Sequence, residues 1–111
     1  AVTKDTVYIK SEQNVEEKKE KYGLGDEPCF LREEDFFKEK RGDAVVIATM
    51  DKLHVGHADS ALALGYDVLL EKPIATSAAD CEEIERSVKK YGSRLLVCHV
   101  LRYTAFFRKI K

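Results

Sequence analysis

The chain alternates between short, wholly apolar runs and longer segments in which apolar residues recur every three or four positions. Val7-Tyr8-Ile9 is the first strand-like run, built from residue types that favour extended backbone. Asn14 to Tyr22 reads as a charged helix, with Asn14 and Glu17 placed as a box-like cap pair and Gly23 as its stop. Its apolar face holds only Val15 and Tyr22, so it belongs on the surface or at an edge. Gly23 to Cys29 reads as a loop, and Glu33 to Lys40 as a second short helix with Phe36 and Phe37 turned inward and Gly42 after it. Ala44-Val45-Val46-Ile47-Ala48 is apolar throughout, the pattern of a strand buried on both faces of a parallel sheet. Asp51 is placed to cap a helix from Lys52 to Leu64, with Val55, Ala58, Ala61 and Leu62 inward and Gly65 at its end. Val68-Leu69-Leu70 is the next strand and runs into Glu71-Lys72-Pro73. Ser77 then caps a helix with Asp80 at the capping-box position; Cys81, Ile84, Val88 and Tyr91 share one face and Gly92 ends it. Leu95-Leu96-Val97-Cys98 is the last strand, and Tyr103 to Lys111 carries Phe106, Phe107 and Ile110 at helical spacing.

The order strand, helix, helix, strand, helix, strand, helix, strand, helix predicts an α/β fold, a three-layer parallel sheet with helices on its faces. The 111 residues are one domain's worth of chain, enough to bury a core without staples. Nineteen Lys and Arg face 20 Asp and Glu, so the net charge of −1 offers no basic field for nucleic acid or an anionic membrane. No apolar run is long enough to span a bilayer, and the first ten residues carry no signal-peptide pattern. Cys29, Cys81 and Cys98 are odd in number and irregular in spacing, which argues against a disulfide framework or a metal site. They are expected in the core of a protein of the reducing cytoplasm.

In open parallel sheets ligands sit at the carboxyl ends of the strands. Three such ends carry polar groups: Thr49-Met50-Asp51-Lys52-Leu53-His54, then Glu71-Lys72-Pro73, then His99-Val100-Leu101-Arg102-Tyr103. Each has a plain structural role open to it. Asp51 reads as a helix cap, His54 as a solvated residue of a first helical turn, and Glu71 and Lys72 as a loop ending. Their convergence on one edge raises the functional reading. Lys72 stands out, because it follows a buried strand and precedes a proline that fixes the loop. Held there and partly desolvated, a lysine can donate to a developing alkoxide or exchange a proton. The Gly-x-Gly-x-x-Gly turn of a dinucleotide fold is absent; Gly23-Leu24-Gly25 follows a helix and runs into Asp26-Glu27-Pro28. Neither the acid pair of a receiver domain nor the hydroxyl-rich phosphate loop of a flavodoxin is present.

The stretch Asp43 to Thr49, then His54, then Gly65 to Pro73 with its Glu-Lys-Pro tripeptide resembles the glucose-fructose oxidoreductase/inositol dehydrogenase/rhizopine catabolism family. His99 to Lys111 is similar to that family's crossover toward its substrate domain. The resemblance covers most of the chain from about Asn14 onward. It implies an NAD(P)-dependent oxidoreductase acting on a sugar, polyol or related carbonyl compound. It further implies that Thr49, Asp51 and His54 line the cofactor near its nicotinamide end and that Glu71 and Lys72 flank the nicotinamide. Lys72 would be the catalytic residue, binding the reacting oxygen and assisting proton transfer, and Arg102 would lie near the carboxamide or the substrate.

Family members begin with a strand and glycine-rich turn, carry an acid after the second strand, and continue into a substrate domain with a catalytic histidine. Residues 1–111 match none of these, and the only methionine, Met50, stands where proline is common. The expectation is therefore an incomplete Rossmann-like domain, an internal piece of such an enzyme that lacks the first strand. NAD or NADP is the cofactor the family implies; this chain alone is expected to hold it weakly or not at all, and to be inactive. The alternative is a non-catalytic remnant that serves as an interaction module, pairing with a second copy through an exposed sheet edge.

Overall fold

The computed structural model describes residues 6–8, 15–23, 28–30 and 32–110. Ile9, the Asn14 cap, residues 24–27 of the first loop and Lys111 lie outside the described residues. The elements are β1 (Thr6–Tyr8), α1 (Val15–Tyr22), α2 (Glu33–Phe36), β2 (Ala44–Ile47), α3 (His54–Ala63), β3 (Asp67–Glu71), α4 (Ala78–Tyr91), β4 (Leu95–Cys98) and α5 (Ala105–Ile110). Short 3-10 turns at Asp51–Leu53 and Val100–Tyr103 precede α3 and α5. All four strands run parallel in the order β1-β2-β3-β4, with Val45 opposite Val68 and Val68 opposite Leu95. The α/β parallel sheet expected from the apolar runs is the architecture found.

Burial alternates along the strands with period two. Val45, Ile47, Val68 and Leu70 are buried on one face, against Ala58, Ala61 and Leu62 of α3, Ile84 of α4 and Phe36 of α2. Alanines at 58 and 61 leave room for the α3 backbone to come close to the sheet. Both crossovers, β2 to β3 and β3 to β4, step the same way across the sheet. Right-handed connections then place α3 and α4 on the same face. The opposite face is thinly covered: Leu69 is 40% exposed and Leu96 68% exposed. The continuous apolar runs therefore do not mean equal burial on both sides.

Local signals explain most boundaries. Ser77 accepts from the Asp80 backbone N–H at 3.2 Å and caps α4. Asp80 does not return the bond to Ser77 but accepts from Thr76 Oγ1 at 3.3 Å. After α3 the chain reverses through Gly65 at φ 83°, a left-handed position that glycine adopts without strain. Ser87 Oγ donates to Asp59 Oδ1 at 2.7 Å and joins α4 to α3.

Three expectations are corrected. The helix expected over Glu33–Lys40 stops at Phe36, because the chain must turn to bring the Arg41 N–H to the Tyr66 hydroxyl, 2.8 Å away, before it enters β2. Asp51 does not cap a helix over Lys52–Leu64; it opens the 3-10 turn, whose preceding residue is Met50, and α3 starts only at His54. The cysteines are not core residues, since Cys29, Cys81 and Cys98, none of them in a disulfide, are only partly buried. In α5, Phe106 and Ile110 remain largely exposed.

Arg94, just before β4, clasps Asp67 at the start of β3, with Nε 3.1 Å from Oδ2. The Arg94 guanidinium holds the Asp67 carboxyl below the usual carboxylate range. A carboxyl lowered by folding adds stability above its unfolded-state titration range, and that stability is lost as pH falls through the folded-state value. Asp67→Asn is therefore expected to flatten the acid limb of a melting-temperature profile while leaving the neutral-pH fold intact. An unchanged acid limb would count against the clasp.

Candidate functional site

β2 and β3 end side by side, and the first turn of α3 fills the space between their loops. His54, expected at the solvated surface, is fully buried there. Its Nδ1 lies 2.8 Å from the Pro73 carbonyl and its Nε2 lies 3.2 Å from the Thr49 carbonyl. One imidazole thus bridges the backbone after β2 and the backbone after β3. A neutral ring donates to one carbonyl at a time; a cationic ring donates to both.

His57, one turn further along α3, is also buried. Its Nδ1 is 2.9 Å from Thr49 Oγ1, and its Nε2 meets the Glu33 carboxylate at the start of α2. The Phe37 ring packs against this imidazole with centroids 6.1 Å apart. Sequence reasoning missed both His57 and Glu33. A signal existed: His54, His57, Ala58, Ala61 and Leu62 recur at helical spacing, and all five are buried. Taken as an inward position, each histidine needs polar partners inside the protein, and the strand ends supply them.

The other expected residues are more open. Glu71 closes β3 half-buried and accepts from the Lys72 N–H at 3.3 Å. Lys72 was expected to be partly desolvated; it is exposed, because it lies beyond the strand where no described element packs over it. Asp51 and Arg102 are exposed too, and among the described residues no side-chain hydrogen bond ties either to this group. The structure therefore joins the Thr49 and Pro73 backbones through His54, beside the Glu71-Lys72 strand end, and among the described residues shows no contact that brings Asp51 or Arg102 to them.

Cys98 ends β4 opposite Glu71 in the sheet register. Burial raises the thiol, and the adjacent Glu71 carboxylate raises it further by repelling a thiolate and accepting the S–H. Cys98 is thus not an activated nucleophile. Among the described residues no cluster of His, Cys, Asp and Glu could hold a metal ion, and no helix is long and apolar enough to cross a membrane.

The family model of an oxidoreductase family with an NAD-binding Rossmann fold matches residues 5–99. An inositol 2-dehydrogenase of Saccharopolyspora erythraea is 37% identical over 79 residues, which are 70% of this chain and 23% of that protein. A 2,7-anhydro-N-acetylneuraminate hydratase of Mediterraneibacter gnavus is 36% identical over 61 residues, 55% of this chain and 16% of that one. The crystal structure of an oxidoreductase from Agrobacterium radiobacter, in complex with NAD+, L-tartaric acid and magnesium, superposes with a TM-score of 0.82 at 20% identity. It covers 96% of this chain and 30% of that one. The chain thus spans under a quarter of the length of these two curated relatives. With its parallel sheet, its polar strand ends and the match over residues 5–99, the chain belongs to the glucose-fructose oxidoreductase/inositol dehydrogenase/rhizopine catabolism family of NAD-binding Rossmann-fold oxidoreductases.

Proposed function

We propose that residues 1–111 are part of the nucleotide-binding domain of an NAD(P)-dependent oxidoreductase acting on a sugar, polyol or related carbonyl compound. The observation that carries this reading is the convergence of Thr49, Glu71 and Lys72 at adjacent parallel strand ends, joined by the buried His54 bridge. This chemistry fits the nicotinamide end of a dinucleotide. Thr49 offers a hydroxyl, Glu71 a carboxylate, and Lys72 an ammonium free to reach a substrate oxygen. Among the described residues no glycine lies between a strand and the helix that follows it, so none of them offers a glycine-rich cradle for the diphosphate end.

A bound nicotinamide supplies the hydride acceptor or donor. The chain's own residues do the rest. His54 fixes the spacing of the two loops, and the Lys72 Nζ binds the reacting oxygen and takes or gives its proton. Asp51 and Arg102 border the same edge, where a carboxamide or substrate group would lie. Three cysteines with no disulfide among them, Cys29, Cys81 and Cys98, favour a reducing cytoplasm as the setting.

Titrating the labelled chain with NADH or NADPH tests the reading. Saturable amide shifts at Thr49, Glu71 and Lys72 are expected, with a Kd no tighter than about 1 mM, equivalent to about −4 kcal/mol. Shifts confined to other residues, or none by about 10 mM, would overturn it.

A second reading rests on the exposed Leu96, on a strand that pairs with β3 and has no further partner among the described strands. Such an edge suits an interaction module that pairs with a second copy. Sedimentation as a monomer at about 100 μM, an affinity threshold of roughly 5 kcal/mol, would exclude it.

A further inference from the structure

We infer that His57 is a positioning residue that fixes the Thr49 hydroxyl as a hydrogen-bond acceptor, so that the end of β2 selects an amide over a carboxylate on its ligand. The ligand half of this inference rests on the nucleotide-binding reading above. The hydrogen-bond half rests on the chain alone.

The direction of each bond follows from the partner before it. An ionised Glu33 carboxylate can only accept, so His57 Nε2 carries the proton between them. A neutral imidazole then has a bare Nδ1, which can only accept. The group facing it at 2.9 Å is Thr49 Oγ1, whose one hydrogen must point inward to His57. The reverse order would aim the lone pair of Nε2 at the Glu33 carboxylate. Burial of the imidazole and the Phe37 ring against it keep the ring from turning away. The Thr49 carbonyl meanwhile lies against His54 Nε2, so backbone and side chain of Thr49 are both held by α3.

A hydroxyl whose hydrogen is committed presents only lone pairs to anything else. An N–H₂ group brought to it gains a bond. A carboxylate brought to it meets lone pairs and loses its solvation without return. The nicotinamide carboxamide and its acid analogue differ only at this group, a neutral N–H₂ donor against an anionic oxygen, which makes them a probe pair.

Long-range nitrogen–proton NMR on the labelled chain reads the protonation of each ring nitrogen. The expected spectrum has His57 protonated at Nε2 and bare at Nδ1, with a slowly exchanging Thr49 hydroxyl proton. His57→Phe should erase that proton. His57→Gln, which keeps an accepting oxygen and a donating amide, should retain it, and covers the case in which the phenylalanine variant does not fold. A His57 protonated at Nδ1 would overturn the inference. In the ligand arm, NAD+ and nicotinic acid adenine dinucleotide are titrated separately and followed at the Thr49 amide. The amide form should bind at least about ten-fold tighter in the parent chain and in His57→Gln, and within about two-fold in Thr49→Val. Equal binding in the parent chain would overturn the selectivity. If neither dinucleotide shifts the strand ends, the nucleotide-binding reading and the ligand half fall together, and the tautomer still decides the hydrogen-bond half.

Discussion

His54→Ala is expected to lower the stability of the folded chain by about 3–5 kcal/mol, the range for removing a large buried ring. The imidazole is 0% exposed and fills the space between the loops after β2 and β3. Alanine leaves a cavity there and takes away the N–H that the ring offers to the Pro73 or the Thr49 carbonyl. A carbonyl that loses its donor adds up to about 1–3 kcal/mol to the extent that water cannot reach it. Domains of this size are stable by about 5–15 kcal/mol, so the variant should sit near the edge of folding at body temperature. Urea denaturation reads the loss as a lower midpoint with an unchanged slope. A shift worth under about 1 kcal/mol would mean that the ring bridges nothing. His54→Asn, which keeps one donor, should recover part of the loss, and Lys72→Ala, exposed and outside the bridge, should cost almost nothing.

Tyr66→Ala is expected to cost a similar amount, again about 3–5 kcal/mol. Tyr66 heads the largest fully buried side chains and joins the core formed by Ile47, Leu62 and Leu70. It also stands at the tight reversal from α3 to β3, where its N–H donates to the Ala61 carbonyl at 3.1 Å. Tyr66→Phe separates packing from hydrogen bonding. It keeps the ring and removes only the oxygen that accepts from the Arg41 N–H, so it should cost about 1 kcal/mol. Equal losses for the two variants, measured by denaturation under the same conditions, would show that the ring contributes little.

Strands and helix ends were legible because their causes are local. Unbroken apolar runs mark β2, β3 and β4, and Ser77, Gly65 and Gly92 mark ends through one hydroxyl and two left-handed backbones. The candidate site was legible as an edge and not as a network. Thr49, Glu71 and Lys72 fall at strand ends that topology alone brings together. The groups that hold them do not announce themselves, because their partners are distant in the chain: His54 meets Pro73 19 residues on, and His57 meets Glu33 24 residues back. Histidine is also neutral ground in an apolar pattern, since burial and exposure are both common for it. Asp51 shows the opposite failure. Aspartate before an amphipathic segment usually caps it, but here a 3-10 turn intervenes and the helix begins three residues later.

The strict sequence order of the strands has a kinetic consequence. Every described strand pairs with the one next to it in the chain, so no contact waits for a distant segment to arrive. A single helix separates β2 from β3 and β3 from β4, whereas α1, α2 and their connections separate β1 from β2. Shorter closures lose less chain entropy and form sooner. The unit from β2 to β4 is therefore the natural nucleus, with β1 docking onto it last. Substitutions at Ile47 or Leu70 should slow folding itself, while weakening the β1 pairing should act almost entirely by hastening unfolding.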